Sequence, residues 1–154
     1  MNQALKKNQE GVALLQKNPE QAAKLFREAQ ALDPKNPDFS NNIGVALLSQ
    51  GKFKEAISYF VRATELDPKY VRGFYNEGVC YQNLQKNEES VRAYKKTLSI
   101  TDIPEVYFNL GIVYTRLGEK KKAIESYQKF IEIAPANMSQ PVADAKDKIR
   151  SLKD

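Results

Sequence analysis

Apolar and small residues recur at helical spacing along the chain, and the whole pattern repeats after 33 or 34 residues. Four glycines mark this period at Gly11, Gly44, Gly78 and Gly111. A small and an aromatic residue follow each glycine at a nearly constant distance; these pairs are Ala22 and Phe26, Ala56 and Phe60, Ser90 and Tyr94, and Ala123 and Tyr127. Such a period is typical of a supersecondary unit stacked on copies of itself, because one unit alone cannot bury its apolar face.

The second repeat predicts how each repeat is built. Apolar residues over 43–48 follow a helical pattern that stops at Gly51, which accepts the left-handed conformation that ends many helices. A second helical pattern runs over 56–66 and ends before Pro68, because proline cannot continue a helix. Each repeat is therefore predicted to be a pair of antiparallel helices.

Small residues and turn residues set the expected geometry inside each pair. Gly44 and Ala56 predict the closest approach of the two helices, with Phe60 filling the space between this repeat and its neighbour. The turn of the third repeat, 85–87, lacks glycine, so we expect a less ideal turn there. The first repeat is one residue shorter at 17–20, where asparagine and proline still supply turn chemistry.

The chain has 154 residues, of which 42% are apolar, and this is enough to bury one core. We expect a single domain over 1–154, with repeats at about 3–36, 37–70, 71–103 and 104–137. A final helix is predicted over 139–153, with Ser139 as its cap candidate. Its apolar stripe is typical of a helix that covers the last interface of an array, and consists of Val142, Ala145, Ile149 and Leu152.

Charge and hydropathy exclude some classes of protein. The 24 basic and 19 acidic residues give a net charge of +5 and are interspersed, which favours a solvated surface over a nucleic-acid-binding stripe. No apolar run is long enough to span a bilayer, and residues 1–20 lack the pattern of a signal peptide. We therefore expect a cytoplasmic protein without a transmembrane segment; an exported protein whose signal has been removed is the alternative.

The chemistry of an enzyme is missing from the sequence. The chain has no histidine, so Ser-His-Asp and Cys-His sites and histidine metal sites are excluded. The single Cys80 stands where other repeats carry alanine or valine, which predicts a buried packing position. Glu88 and Glu89 lie at a turn, and no glycine-rich phosphate loop is present. We expect no catalysis, no small-molecule substrate, no cofactor and no metal.

These residues resemble the tetratricopeptide repeat family, whose signature is a Leu-Gly pair followed by an aromatic residue, alanine, an aromatic residue and proline. The fourth repeat matches best, with Leu110, Gly111, Tyr114, Ala123, Tyr127 and Pro135. The resemblance implies an all-α fold, a right-handed α-solenoid of antiparallel helix pairs. In such a fold the first helices line a concave groove, where a peptide or helix of a partner protein binds.

The resemblance also implies which residues line that groove. Val12 and Leu15 would begin its floor in the first repeat. The partner-binding residues expected further along are Asn42, Val45, Leu48, Arg72, Tyr75, Asn76, Val79, Phe108, Asn109, Ile112 and Arg116. We favour Tyr75 and Phe108 as anchors, because exposed large aromatic residues are enriched at binding hot spots. Truncating either is expected to weaken partner capture and to leave the thermal melt nearly unchanged.

An amide stands two residues before each repeat glycine, at Gln9, Asn42, Asn76 and Asn109. Two interpretations remain open. The amides could pair with the backbone of an extended peptide, since each offers one acceptor and two donors. Alternatively, they could orient the neighbouring helix through local hydrogen bonds.

Some members of the family hold the acidic C-terminal tail of a chaperone in a carboxylate clamp. Among the first three repeats only Asn42 and Arg72 match that clamp, and among the last three only Asn76 does. The sequence therefore disfavours a chaperone tail. A groove that is apolar and carries charges of both signs instead favours an amphipathic or largely apolar segment.

Two functions of other classes stay open beside a protein-interaction module or scaffold. The net charge of +5 allows RNA binding, as in helical repeats that read one base per repeat, although the predicted groove mixes signs and is not uniformly basic. The chain could also self-assemble, because its imperfectly capped first repeat could accept the last helix of another copy.

Overall fold

The computed structural model describes all 154 residues and contains nine α-helices, one short 3₁₀ helix and no β-strand. The helices are α1 Gln3–Leu14, α2 Pro19–Leu32, α3 Pro37–Ser49, α4 Phe53–Leu66, α5 Val71–Asn83, α6 Asn87–Ile100, α7 Pro104–Arg116, α8 Lys120–Ile133 and α9 Ser139–Lys153. The all-α prediction is confirmed. We call α1, α3, α5 and α7 the first helices, because each opens one of the sequence repeats.

The chain divides into two compact units, Met1–Leu84 and Gln85–Asp154, called the N-terminal and C-terminal units below. The N-terminal unit contains α1 to α5, and the C-terminal unit contains α6 to α9. The sequence-based division into four repeats of one domain stays a prediction.

Asparagine side chains begin the first three helices. The side-chain oxygens of Asn2, Asn18 and Asn36 accept hydrogen bonds from backbone N–H groups in the first turns of α1, α2 and α3. Proline follows the cap of α2 and α3, at Pro19 and Pro37, where a missing N–H costs nothing. The turn chemistry predicted for the shortened first repeat is therefore present.

Three residues with positive φ end first helices. Gly51 and Gly118 have φ of 76° and 75°, as expected for glycines that stop a helix. Gln85 occupies the corresponding place in the third repeat with a φ of 57°. A side chain is disfavoured in this left-handed region, so the less ideal turn predicted there is confirmed.

Inside the N-terminal unit, each second helix lays an aromatic ring on a glycine of the first helix. A methyl group built on Gly44 would lie 2.5 Å from the Phe60 ring, and one built on Gly11 would lie 2.5 Å from the Phe26 ring. Both rings are fully buried. The glycines are therefore small because of a ring in their own repeat. The sequence placed Phe60 in the space towards the neighbouring repeat and did not predict this contact.

A second close approach joins α4 to α5. A methyl group built on Gly73 would lie 2.7 Å from Cγ2 of Thr64 and 3.2 Å from the carbonyl oxygen of Phe60. Gly73 lies outside the repeat pattern of glycines, so no periodic signal marks it. Because Gly73 has no side chain, α5 can pack tightly on the preceding helix pair.

The C-terminal unit repeats the ring-on-glycine contact and ends with the extra helix. A methyl group on Gly111 would lie 2.4 Å from the Tyr127 ring. Helix α9 packs on α8 and buries Ala145 and Ile149, two residues of the predicted apolar stripe. Ser139 is not its cap as expected: it is the first helical residue, because a 3₁₀ turn over Ala136–Met138 leads directly into the helix.

Candidate partner-binding surface

Amide bridges connect the first helices of the N-terminal unit. Nδ2 of Asn42 on α3 donates to Oδ1 of Asn8 on α1 at 2.7 Å, and Nδ2 of Asn76 on α5 donates to Oδ1 of Asn41 on α3 at 3.0 Å. These bonds favour the interpretation that the amides orient neighbouring helices. They do not exclude a bond to a peptide, because each amide group carries a second N–H donor.

A cluster of charged and aromatic side chains lies at the start of the same helices. Nη2 of Arg72 lies 2.7 Å from Oδ1 of Asp38, and the Tyr70 hydroxyl donates to the same oxygen at 2.6 Å. The guanidinium also lies 5.1 Å from the centre of the Tyr70 ring. Burial, and next the bond to Asp38, raises the pKa of Tyr70 well above its usual value of 10.0. Arg72 is thus held in place while its side chain stays 62% exposed.

Arg72 is one of the groove residues expected from the sequence, whereas its contacts with Asp38 and Tyr70 were not expected. A signal was available, because Asp38 and Arg72 lie 34 residues apart, which is one repeat. Residues one repeat apart sit at equivalent places on neighbouring first helices, and so opposite charges at such positions predict an ion pair.

An exposed apolar strip lies on α1. The side chains of Leu5 and Val12 are 40% and 53% exposed, and their spacing of two helical turns places them on one side of the helix. Asn8 lies between them and bonds to Asn42, so the strip borders α3. The sequence predicted Val12 as part of a groove floor and missed Leu5, which stands one heptad earlier.

The neighbouring helices α3 and α5 continue this surface with half-buried apolar residues. Val45 and Leu48 pack against the core of the N-terminal unit and keep part of their surface exposed. On α5, Tyr75, Asn76 and Val79 are also half-buried. We call the following set the first-helix surface of the N-terminal unit: Leu5, Val12, Asn42, Val45, Leu48, Arg72, Asn76 and Val79.

The predicted site residues of the C-terminal unit lie on α7 and serve packing as well. The Phe108 ring makes edge contacts with the rings of Tyr127 and Phe130, at centroid distances of 5.6 and 5.2 Å. Nδ2 of Asn109 donates to the Tyr94 hydroxyl at 3.3 Å. Ile112 is half-buried and Arg116 is exposed. Phe108 therefore has structural contacts that its place in the repeat did not predict.

Neither a metal-binding cluster nor an exposed thiol is present in these units. No group of three or more His, Cys, Asp and Glu side chains is arranged to hold a metal ion. Cys80 is fully buried in the core of the N-terminal unit, and burial, followed by the Glu77 carboxylate, raises the pKa of its thiol to about 12. A thiol in this state is a poor nucleophile. None of the helices combines the length and hydropathy needed to span a bilayer.

Helix pairs of nearly constant length, three of which are closed by an aromatic ring on a glycine, define the class of the protein as an α-solenoid repeat. One tetratricopeptide repeat model matches residues 12–71, and a second matches residues 71–102 and 104–137. The chain belongs to the tetratricopeptide repeat family, a class of protein-interaction modules.

Individual relatives agree with this assignment. The human protein O-mannosyl-transferase TMTC3 is 32% identical over 76 residues, which are 49% of this chain and only 8% of that protein. The first TPR of Spaghetti (RPAP3), solved bound to the HSP90 peptide SRMEEVD, is 25% identical, with a TM-score of 0.73 over 75% of this chain and 93% of that one. The pilF protein of Pseudomonas aeruginosa is 25% identical, with a TM-score of 0.81 over 96% and 69%.

Proposed function

We propose that the chain is a non-enzymatic protein-interaction module that binds an amphipathic or largely apolar segment of a partner protein on its first helices. The observation that carries the proposal is the exposed apolar strip of Leu5 and Val12 beside the bridged amides of α3 and α5. Apolar surface exposed next to oriented polar groups is the usual composition of a peptide-binding face.

The first-helix surface of the N-terminal unit offers three kinds of contact. The apolar side chains of the partner would cover Val12, Val45 and Leu48 and exclude water from them. The second N–H of Asn42 would donate to a backbone carbonyl of the partner. The exposed guanidinium of Arg72, already oriented by Asp38, would donate hydrogen bonds to a carboxylate at the edge of the segment.

The equivalent residues of the C-terminal unit are proposed to act in the same way on α7. Ile112 would supply apolar contact, Asn109 a donor and Arg116 a positive charge. Phe108 would contribute through its exposed part, while its ring keeps its contacts with α8.

The RPAP3 relative bears on the class of peptide. Its binding of an HSP90 peptide supports peptide recognition by this chain, and it speaks against excluding acidic chaperone tails on sequence grounds. We still favour the apolar segment, because the strip on α1 places Val12 where the clamp pattern requires asparagine. Binding of an acidic tail is therefore the alternative result that the experiments below can detect.

The test compares two substitutions at residues of equal exposure. Val12 on the first-helix surface and Leu32 at the end of α2 are 53% and 55% exposed, so Val12→Lys and Leu32→Lys should leave the melting temperature nearly unchanged. Proteins captured from the source cell's lysate by the native chain should be retained by Leu32→Lys and lost from Val12→Lys. Equal capture by both variants would overturn the proposal.

A crosslinking experiment locates the contact directly. A photo-crosslinking amino acid placed at the exposed Leu5 should label the captured partner, and the same group at Leu32 should not. A synthetic SRMEEVD peptide added as competitor would displace the partner only if an acidic tail is the ligand. Light scattering of the pure chain and titration with labelled RNA at two salt concentrations separate the two alternatives, a second copy and RNA.

A further inference from the structure

A cleft of about 350 Å³ lies in the C-terminal unit between α6, α7 and α8. Leu98, Tyr107 and Leu110 form much of its apolar lining. Leu110 and Ile112 are two residues apart on α7, which turns their side chains about 200° from each other. The cleft is thus on the side of α7 away from the residues proposed above, and it does not depend on their function.

The N-terminal unit shows why this cleft is open. Tyr59, the residue before Phe60, extends from α4 towards α2, where the Arg27 guanidinium lies 6.0 Å from its ring centre. In the repeat register of the C-terminal unit, the residue before Tyr127 is Ser126. A serine that bonds to the Lys122 carbonyl of its own helix at 2.9 Å fills none of the space that a tyrosine ring would occupy.

The rim of the cleft is positively charged. Lys95 from α6 and Lys122 and Lys129 from α8 line it, against a single carboxylate, Glu125. Two of these lysines have ion pairs at spacings of three residues, Lys122 with the N-cap residue Glu119 and Lys129 with Glu132 of α8. Exposed pairs of this kind contribute at most about 1 kcal/mol. A ligand carboxylate can therefore replace them at little cost.

We propose that this cleft binds an acidic segment of a partner protein, which inserts one aromatic or aliphatic side chain against Leu98 and Leu110 and pairs its carboxylates with Lys95 and Lys122. The volume is near the lower end of the range for ligand sites, which suits one side chain and not a whole cofactor. The positive charge of the rim favours a negatively charged segment, and the apolar lining favours an apolar anchor side chain.

A peptide fits the cleft better than RNA does. Tyr114 is 7% exposed, and the Lys122 ammonium lies 5.7 Å from its ring centre, so its face is not open to a base. Binding of single-stranded RNA normally relies on open aromatic faces on which successive bases stack.

Binding is tested with two fluorescein-labelled peptides, Glu-Asp-Glu-Phe-Glu-Asp-Glu and the same peptide with lysine for each acidic residue, and with a labelled uridine 12-mer. The acidic peptide should bind, with backbone amide NMR shifts changing at Leu98, Leu110 and Ser126. Ser126→Tyr fills the cleft without changing its charge and should weaken binding more than about tenfold, because the anchor can no longer be buried.

Neighbouring lysines provide a matched charge control. Lys122 lines the cleft, whereas Lys121 lies beside it on the same helical turn and does not. Lys122→Glu should weaken the acidic peptide about fivefold, and Lys121→Glu should change binding less than about twofold. Circular dichroism melts confirm that each variant is folded.

Three results would overturn the proposal. They are the absence of binding by the acidic peptide, equal binding by Ser126→Tyr at an unchanged melting temperature, and stronger shifts of the same residues with the uridine 12-mer. Should Ser126→Tyr fail to fold, the comparison of Lys122→Glu with Lys121→Glu decides alone: equal loss in both would overturn the site.

Discussion

Asn76 on α5 donates its side-chain N–H to Oδ1 of Asn41 on α3 at 3.0 Å, and Asn41 is only 2% exposed. The equivalent bond one repeat earlier, from Asn42 to Asn8, joins two half-buried residues. The two bridges are alike in chemistry and differ in burial. Comparing the two bridges therefore shows how much an amide bridge between first helices stabilises this fold when water cannot reach its acceptor.

Asn76→Ala removes the donor of the buried bridge and should lower the free energy of unfolding by about 1–3 kcal/mol, because the Asn41 oxygen loses its partner away from water. Asn42→Ala should cost less than about 1 kcal/mol, since water can reach Asn8. Urea unfolding of both variants checks this order. Equal losses would show that the burial of the acceptor is irrelevant.

Gly111→Ala should destabilise the C-terminal unit by about 1–3 kcal/mol, because its methyl group would meet the Tyr127 ring at 2.4 Å. The double variant with Tyr127→Leu removes the ring and should recover part of that loss. Thermal melts of the two single variants and the double variant measure the coupling between them. Additive effects would mean that the glycine is required for a reason other than the ring.

Phe108→Ala should lower the free energy of unfolding by about 2–4 kcal/mol, because the ring contacts both Tyr127 and Phe130. These contacts argue against our expectation from the sequence that truncation there leaves the melt nearly unchanged. Partner capture by Phe108→Ala is compared with capture by Ile112→Ala, a variant on the same helix. If Phe108→Ala melts like the native chain, the ring is a surface anchor, as the sequence suggested.

The thiol of Cys80 should make the chain less stable at alkaline pH. Burial raises its pKa from 9.0 to about 12, so between these values the unfolded chain has lost a proton that the folded chain keeps. The free energy of unfolding therefore falls as the pH rises through this window. The Cys80→Ala variant lacks this titrating group. The difference between its urea midpoint and that of the native chain should therefore become smaller, or change sign, as the pH is raised from 8 to 10.5.

A reagent supplies an independent check on Cys80. The native thiol should resist Ellman's reagent at pH 8, since it is fully buried, and should react at once in urea. Fast reaction of the native chain would contradict both the burial and the pKa.

The repeat pattern predicted the helices well because each signal is local. Gly51 and Gly118 stop helices through their own φ, and the asparagine caps of α2 and α3, with the prolines that follow them, act within one turn. Gly73 was missed because its role depends on Thr64, a residue of the preceding helix. A single glycine outside the repeat register gives no periodic signal.

The candidate site was harder to predict, because exposure depends on neighbouring helices. Asn41 and Phe108 occupy equivalent repeat positions, yet one is buried in an amide bridge and the other packs on two rings. Leu5 and Val12 are 40% and 53% exposed, which their spacing along the sequence alone does not reveal. The open cleft beside Ser126 follows from the comparison of two repeats in three dimensions, which composition and spacing do not provide.

Gln85 holds a backbone conformation with φ of 57° that its own side chain disfavours, where glycine serves in the second and fourth repeats. Gln85→Gly would release about 1 kcal/mol of this cost. The turn at Gln85 is thus a place where the stability of the chain can still be raised. Gln85 is the first position to change in making a more heat-tolerant version of this scaffold.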